Sequence, residues 1–192
     1  KVTGAIDDAS SFAIAQGIRG DIRALGAVNQ GLNNAKGIAK VAIAGTTAIS
    51  DLLQTVRQKL TELSNEGITS TQRSILVNDF PQLLSQAANF IDNAVFNGVN
   101  LLDTTTISPN INTLSNINGG TLTLTAQDLR TTVAALAAVA TATGANSINA
   151  DSTGNPATNT QAIVGVGGAY TDLESVVNTA LGSLGAEARA LE

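Results

Sequence analysis

The feature that most constrains this chain is an apolar repeat that holds its phase from Leu25 to Leu63. Alternating steps of three and four give Leu25, Val28, Leu32, Ala35, Ala39, Ala42, Thr46, Ile49, Leu53, Val56, Leu60 and Leu63, and only Thr46 is not apolar. Such a seam is what one helix needs to lie along another, because a period of about 3.5 residues keeps the same face toward the partner. Ile14 and Ile18 continue it backwards in phase across one polar position, Asp21. Gly26, Gly31, Gly37 and Gly45 each weaken a helix by about 1 kcal/mol relative to alanine, but no proline or glycine pair interrupts the pattern. The spacing predicts a single helix from near Asp8 to near Ser64, about 80 Å long at 1.5 Å per residue. A rod of that length has to be clad by other helices or by neighbouring molecules.

Composition limits what the cladding is for. Aromatic residues make up 3% of the 192 positions, and Trp and Met are absent, so any core is built from Ala, Leu, Ile and Val. Such side chains suit close helix packing better than a ring-lined ligand pocket. The absence of Cys and His removes disulfides, thiol catalysis, imidazole bases and the common zinc sites. The Asp and Glu are scattered without calcium-loop spacing, so no catalytic residue, cofactor or metal is expected. No apolar run approaches the ~20 residues of a membrane span, and the chain does not begin like a signal peptide. Residues 1–73 carry eight Lys or Arg against six Asp or Glu, and residues 74–192 carry two against nine. The halves are electrostatically complementary, which favours packing of the rod against the later segments. A net charge of −5 with few aromatics argues against nucleic acid.

Beyond the ragged start at Lys1 to Ile6, Asp7-Asp8 sits where acidic residues favour a helix N-terminus, a capping reading preferred over an acid–base dyad because no second catalytic partner is in view. Arg19 with Arg23 and Lys36 with Lys40 place like charges four apart, on a solvated face or against an acidic neighbour. Gly67 is placed to end the rod as a left-handed cap, and Thr69 with Gln72 three residues later is a capping box that starts a second helix. That helix is expected to reach about Asn93 and to bury Leu76, Phe80, Leu83, Ala87, Ile91 and Ala94 against the rod as an antiparallel hairpin, with a kink before Pro81. Asn97-Gly98 reads as a tight turn whose apolar flanks drop back onto the helices. Thr121–Thr125 alternates as a strand within a small hairpin, Ala126–Thr143 as an Ala-rich helix, and Gly144–Thr160 as a loop. A last helix carries Tyr170, Leu173, Val177, Ala180, Leu184 and Leu191 on one seam, with Glu187 as a polar miss, and starts at Ala169 or as early as Gln161. Gly165-Val166-Gly167-Gly168 lacks the strand and lysine of a phosphate loop and is assigned to the helix lead-in. The fold class is thus mainly α: an elongated antiparallel bundle of long rod, second helix and C-terminal helix, with a small β-hairpin region.

In this order the chain resembles bacterial flagellin. The resemblance is carried by Asp7-Asp8-Ala9-Ser10-Ser11-Phe12-Ala13-Ile14-Ala15, by Leu53-Gln54-Thr55-Val56-Arg57, by Phe96-Asn97-Gly98-Val99-Asn100-Leu101-Leu102 and by Leu181-Gly182-Ser183-Leu184-Gly185-Ala186. It covers the first hundred residues and the last thirty; Asp103 to Thr160 carries none of it. It implies the helical shaft of a filament subunit, with residues 1–102 as shaft helices and turn, 103–160 as a hairpin and variable region, and 161–192 as the returning shaft helix of one structural domain. It further implies that terminal segments forming the inner tube are missing at both ends, and that outer domains are absent or reduced, as in short alphaproteobacterial flagellins. Implied partners are other flagellin subunits, the export apparatus and a chaperone, in an extracellular filament serving motility. No Asn-x-Ser/Thr sequon is present, so any sugar is expected to be O-linked.

The resemblance also bears on the animal flagellin receptor, which in detected flagellins meets a segment reading approximately Gln-Arg-Val-Arg-Glu-Leu and an acid on the adjacent helix. This chain keeps Gln54, Val56, Arg57 and Asp79 but has Thr55, Gln58 and Lys59 at the other positions, so weak or absent binding is expected. Other readings are a hook–filament junction protein, against which the intact Phe96–Leu102 signature argues, and a cell-surface binding module, against which the scarcity of aromatic platforms argues. An enzyme is the weakest, since a chain without His cannot supply the metalloprotease site of some flagellin inserts.

Overall fold

The repeat folds as one uninterrupted helix, α1, Ala9–Leu63. The computed structural model describes residues 9–105, 110–142, 147–149 and 155–192, so the start at Lys1 to Ile6 and the Asp7-Asp8 cap lie outside the described residues. Val28, Ala35, Ala39, Ala42, Ile49, Leu53, Val56, Leu60 and Leu63 are buried along one side of α1. Thr46 is fully buried among them, and its hydroxyl donates to the Ala42 carbonyl at 2.8 Å, so the polar position enters the seam without an orphaned group. Leu32 is half-buried. Leu25 departs from the expected seam: it is 48% exposed, with Ile14 at 62% and Ile18 at 55%, because the cladding begins only near Val28.

α2 spans Ser70–Asn93, opened by the capping box of Thr69 and Gln72. It runs back along α1, since Lys59 meets Asp79 near the turn while Gly45 faces Ala94 at the far end. Gly67 does not take the left-handed cap conformation expected of it. Its N–H instead donates to Asn65 Oδ1 at 2.8 Å, and the end of α1 is closed by Arg73, whose guanidinium donates to the Leu63 and Asn65 carbonyls at 2.8 and 3.2 Å. A cation donating to the last carbonyls of a helix satisfies orphan acceptors and opposes the negative end of the dipole. The buried stripe of α2 is Arg73, Val77, Phe80, Leu84, Ala87 and Ile91, with Leu76 and Leu83 only half-buried. The stripe is wider than a two-helix seam because α2 packs against α1 on one side and a further helix, α3, Leu129–Thr141, on the other. α2 continues through Pro81, which is exposed.

Two strand pairs connect α2 to α3. β1, Val95–Phe96, pairs antiparallel with β2, Val99–Asn100, and β3, Asn110–Leu114, pairs antiparallel with β4, Thr121–Thr125, in the register Ile111 to Leu124 and Thr113 to Leu122. α3 is capped by Asp128, whose carboxylate accepts from the Thr131 N–H at 3.1 Å. The expected loop before residue 160 is corrected at its end: Pro156–Val164 is a helix, α4, because Asn155 accepts from the Ala157 N–H at 2.9 Å and Pro156 stands at the first helical position. Most of the rest of that stretch lies outside the described residues. α4 does not run on into the last helix, α5, Ala169–Ala190. Gly167 turns at φ 75°, and a Cβ on Gly168 would sit 2.2 Å from the Ile163 carbonyl oxygen. One apolar cluster, from Ala35 on α1 to Leu191, draws on α1, α2, α3, α4, α5 and β4.

Candidate functional site

Three surfaces carry the residues singled out in the sequence. The first is the signature turn. Asn97 at φ 50° and Gly98 at φ 78° are both left-handed, as a two-residue hairpin turn requires, and Phe96 pairs with Val99 across it. Phe96 lies on α1 so closely that a Cβ on Gly37 would stand 2.5 Å from the Phe96 ring. Asn97 Nδ2 donates to Asn34 Oδ1 on α1, and Asn100 Nδ2 donates to the Ile91 carbonyl at 2.7 Å. Leu101 and Leu102 are then fully buried. The signature thus fixes where the chain leaves the helical pair, and Gly37 and Gly45 are contact points: Gly45 holds the same relation to Ala94 and Leu102.

The second surface is the middle of α1. Gln54, Thr55 and Gln58 are exposed, Val56 is buried on the seam, and Gln58 donates to Glu62 at 3.0 Å. Arg57 reaches Glu174 on α5 at 3.4 Å and lies 6.0 Å from the Tyr170 ring centre. Lys59, half-buried, bridges to Asp79 on α2 at 3.3 Å. The Tyr170 hydroxyl donates to the Leu53 carbonyl at 3.2 Å, and burial, then the Glu174 charge, holds this phenol above its usual range. Of the receptor-motif positions, Val56 thus faces the core, Arg57 turns toward α5 and Lys59 toward α2, where Lys59 and Asp79 are engaged with each other.

The third is a set of exposed apolar side chains, Ile14, Ile18, Ile22 and Leu25 on α1, Ile75 on α2, Leu114 and Ile117 on the second hairpin, and Val166 between α4 and α5. Among the described residues no three metal-ligating side chains come together, and no helix is long and apolar enough to cross a membrane. The cavities are surface grooves: one of about 300 Å³ between α2 and α3 is lined by Pro81, Leu84, Ala88, Val133 and Ala137, and one of about 670 Å³ beside the signature turn by Gln30, Asn33, Asn34 and Phe96.

Sequence reasoning missed the roles of three polar residues that set this geometry. Arg73 lies in phase with Val77 and Phe80, and that phase was its signal; burial lowers its affinity for the proton. Arg130 joins Asp92 of α2 and the buried Asp103, and the hydrogen bond to Asp92 does most to hold its pKa above the ordinary value. Glu187, a miss in the α5 seam, accepts from the Thr125 backbone N–H at 3.1 Å and so ties β4 to α5.

A long helix clad by an antiparallel partner and a returning C-terminal helix, with two small hairpins at the side, defines an elongated helical shaft module. Residues 1–107 match the family model of the bacterial flagellin N-terminal helical region, and the chain belongs to the bacterial flagellin family. It is 30% identical to Flagellin FljM of Caulobacter vibrioides over 129 residues, which is 67% of this chain and 46% of that protein. It is 28% identical to Flagellin A of Helicobacter pylori over 102 residues, 53% of this chain and 20% of that one. The chain thus spans less than half the length of the curated relatives it matches. Its fold is similar to that of Bacillus cereus flagellin, with a TM-score of 0.66 at 20% identity and 85% of each chain covered.

Proposed function

We propose that the chain is the shaft of a subunit that assembles with other flagellin subunits into the extracellular filament of the bacterial flagellum, serving motility. Residues 1–102, 103–160 and 161–192 act in it as one structural domain, a reading supported by the core that described side chains from each of them share. The observation that carries the reading is family membership over the N-terminal half, joined to exposed apolar side chains that the chain's own helices leave uncovered. Exposed apolar side chains of this kind suit contact between copies of one subunit. Before assembly the export apparatus and a chaperone receive the chain. The role is mechanical, and no reaction chemistry is assigned to it. Antibodies raised against the Asn110–Thr125 hairpin are expected to decorate the whole length of native filaments in electron micrographs. Decoration confined to the filament base would favour the junction protein, and decoration of the cell body alone a surface binding module.

The animal flagellin receptor is proposed to bind this surface weakly or not at all. Thr55 offers no planar donor fork, and Lys59 holds Asp79 in an ion pair where a leucine would leave it open. Each loss at an interface hot spot costs about 2 kcal/mol or more. In a receptor reporter assay the unmodified chain is expected to signal weakly and the Thr55→Arg, Gln58→Glu, Lys59→Leu triple variant strongly; strong signalling by the former, or no gain in the latter, overturns the proposal.

A further inference from the structure

We propose that Asn118 is a site of spontaneous backbone rearrangement, and that the fold protects the chain's other Asn-Gly pair, Asn97-Gly98, from the same chemistry. Both pairs sit in hairpin loops, and both glycines have positive φ, 78° at Gly98 and 90° at Gly119. An asparagine followed by glycine is open to attack by the glycine's own backbone nitrogen on the side-chain Cγ, since no Cβ obstructs the approach. The N–Cγ bond forms, the Cγ–Nδ2 bond breaks, and the proton lost from the attacking nitrogen leaves with the amine as ammonia. Water then opens the five-membered imide at one of its two carbonyls, giving aspartate or its β-linked isomer. No oxidant or reductant takes part.

The two sites differ in what must move before nitrogen and carbon can meet. At Asn97 the backbone is held left-handed at φ 50°, Phe96 and Val99 pair across the turn, and Phe96 is pressed against Gly37. The amide that would have to leave donates to Asn34 Oδ1. Reaction there needs the turn to open and that bond to break. At the other hairpin the loop is held by its neighbours: Asn116 Oδ1 accepts from the Asn118 and Gly120 N–H groups at 2.9 Å each, and Ser115 N–H donates to the Gly120 carbonyl at 2.8 Å. The exposed Asn118 side chain makes no hydrogen bond among the described residues, and nothing lies within 4 Å of where a Gly119 Cβ would be. Its amide can therefore turn toward the Gly119 nitrogen while the strand pairs stay formed.

Conversion takes the net charge from −5 to −6 and sets a carboxylate next in sequence to the exposed Ile117. The second hairpin thus carries a chemical record of the protein's age beside an exposed apolar side chain. The test is peptide mapping by mass spectrometry after incubation of the folded chain at mildly alkaline pH. The peptide with Asn118 is expected to lose ammonia and take up water, with Asn97 reacting about tenfold slower or more because opening must come first. In urea the two rates are expected to converge, and in an Asn34→Ala variant the rate at Asn97 is expected to rise. Equal rates in the folded chain, faster reaction at Asn97, or a difference that survives in urea would each overturn the assignment. An unchanged rate at Asn97 in the variant would overturn the part given to Asn34.

Discussion

Tyr170 joins α5 to the backbone of α1 through the Leu53 carbonyl, and it is the chain's one tyrosine. Its phenol is raised by burial, so the folded state resists ionisation more than the unfolded state does. A raised group contributes stability that is complete below its unfolded pKa, about 10 for tyrosine, and is lost as pH climbs through the folded value. Ultraviolet titration of the single tyrosinate is expected to show a midpoint above that of the urea-unfolded chain. Melting temperature should fall over the same alkaline window, and Tyr170→Phe should remove that part of the fall. Arg73 makes a second claim. Replacing it by Met keeps its apolar stem but leaves the Leu63 and Asn65 carbonyls without their donors, at an expected cost of about 1–3 kcal/mol in urea denaturation. Neither role was legible from spacing alone: Arg73 is in phase with the α2 stripe, but its guanidinium finds carbonyls rather than a carboxylate, and only the folded turn brings those together.

At the scale of elements, helix starts were well written in the sequence where a side chain caps them, as Thr69 with Gln72 does, and Asn155-Pro156 carried the same kind of signal for α4. The ends of α1 and α2 fall where the sequence put them, near Ser64 and at Asn93, but what closes α1 could not be read, because Arg73 reaches it from the next helix. The glycines of α1 show the same limit. By propensity all of them weaken the helix alike, yet in the fold Gly26 has nothing near its absent Cβ while Gly37 has the Phe96 ring at 2.5 Å. Gly26→Ala is therefore expected to stabilise the protein by about 0.5–1 kcal/mol. Gly37→Ala is expected to destabilise it by about 1–3 kcal/mol through overpacking, whatever the helix gains. Thermal denaturation of the two variants side by side checks the pair, and shifts of the same sign would contradict it.

For the molecule as a whole, the long rod, its antiparallel partner and the returning helix could be read from three heptad stripes, since apolar period is a direct imprint of what a helix lies against. Where the cladding stops could not be read: Leu25 continues the period of Val28 with no change in side-chain character, but only Val28 is covered. Hydrogen exchange is expected to show this boundary, with α1 amides before Val28 exchanging rapidly and those from Ala35 to Leu63 protected by the shared core. Uniform protection along α1 would contradict it. The bond from Tyr170 to Leu53 links positions 117 apart in sequence, whereas α1 and α2 meet across a short turn. Contacts that far apart carry a large loop-closure entropy and form late. A chain delivered N-terminus first can thus close the first helical pair early, but the seam of α1 stays open on the α5 side until α5 itself arrives. It is α5, following the other helices of the shaft, that decides when the shaft becomes solid.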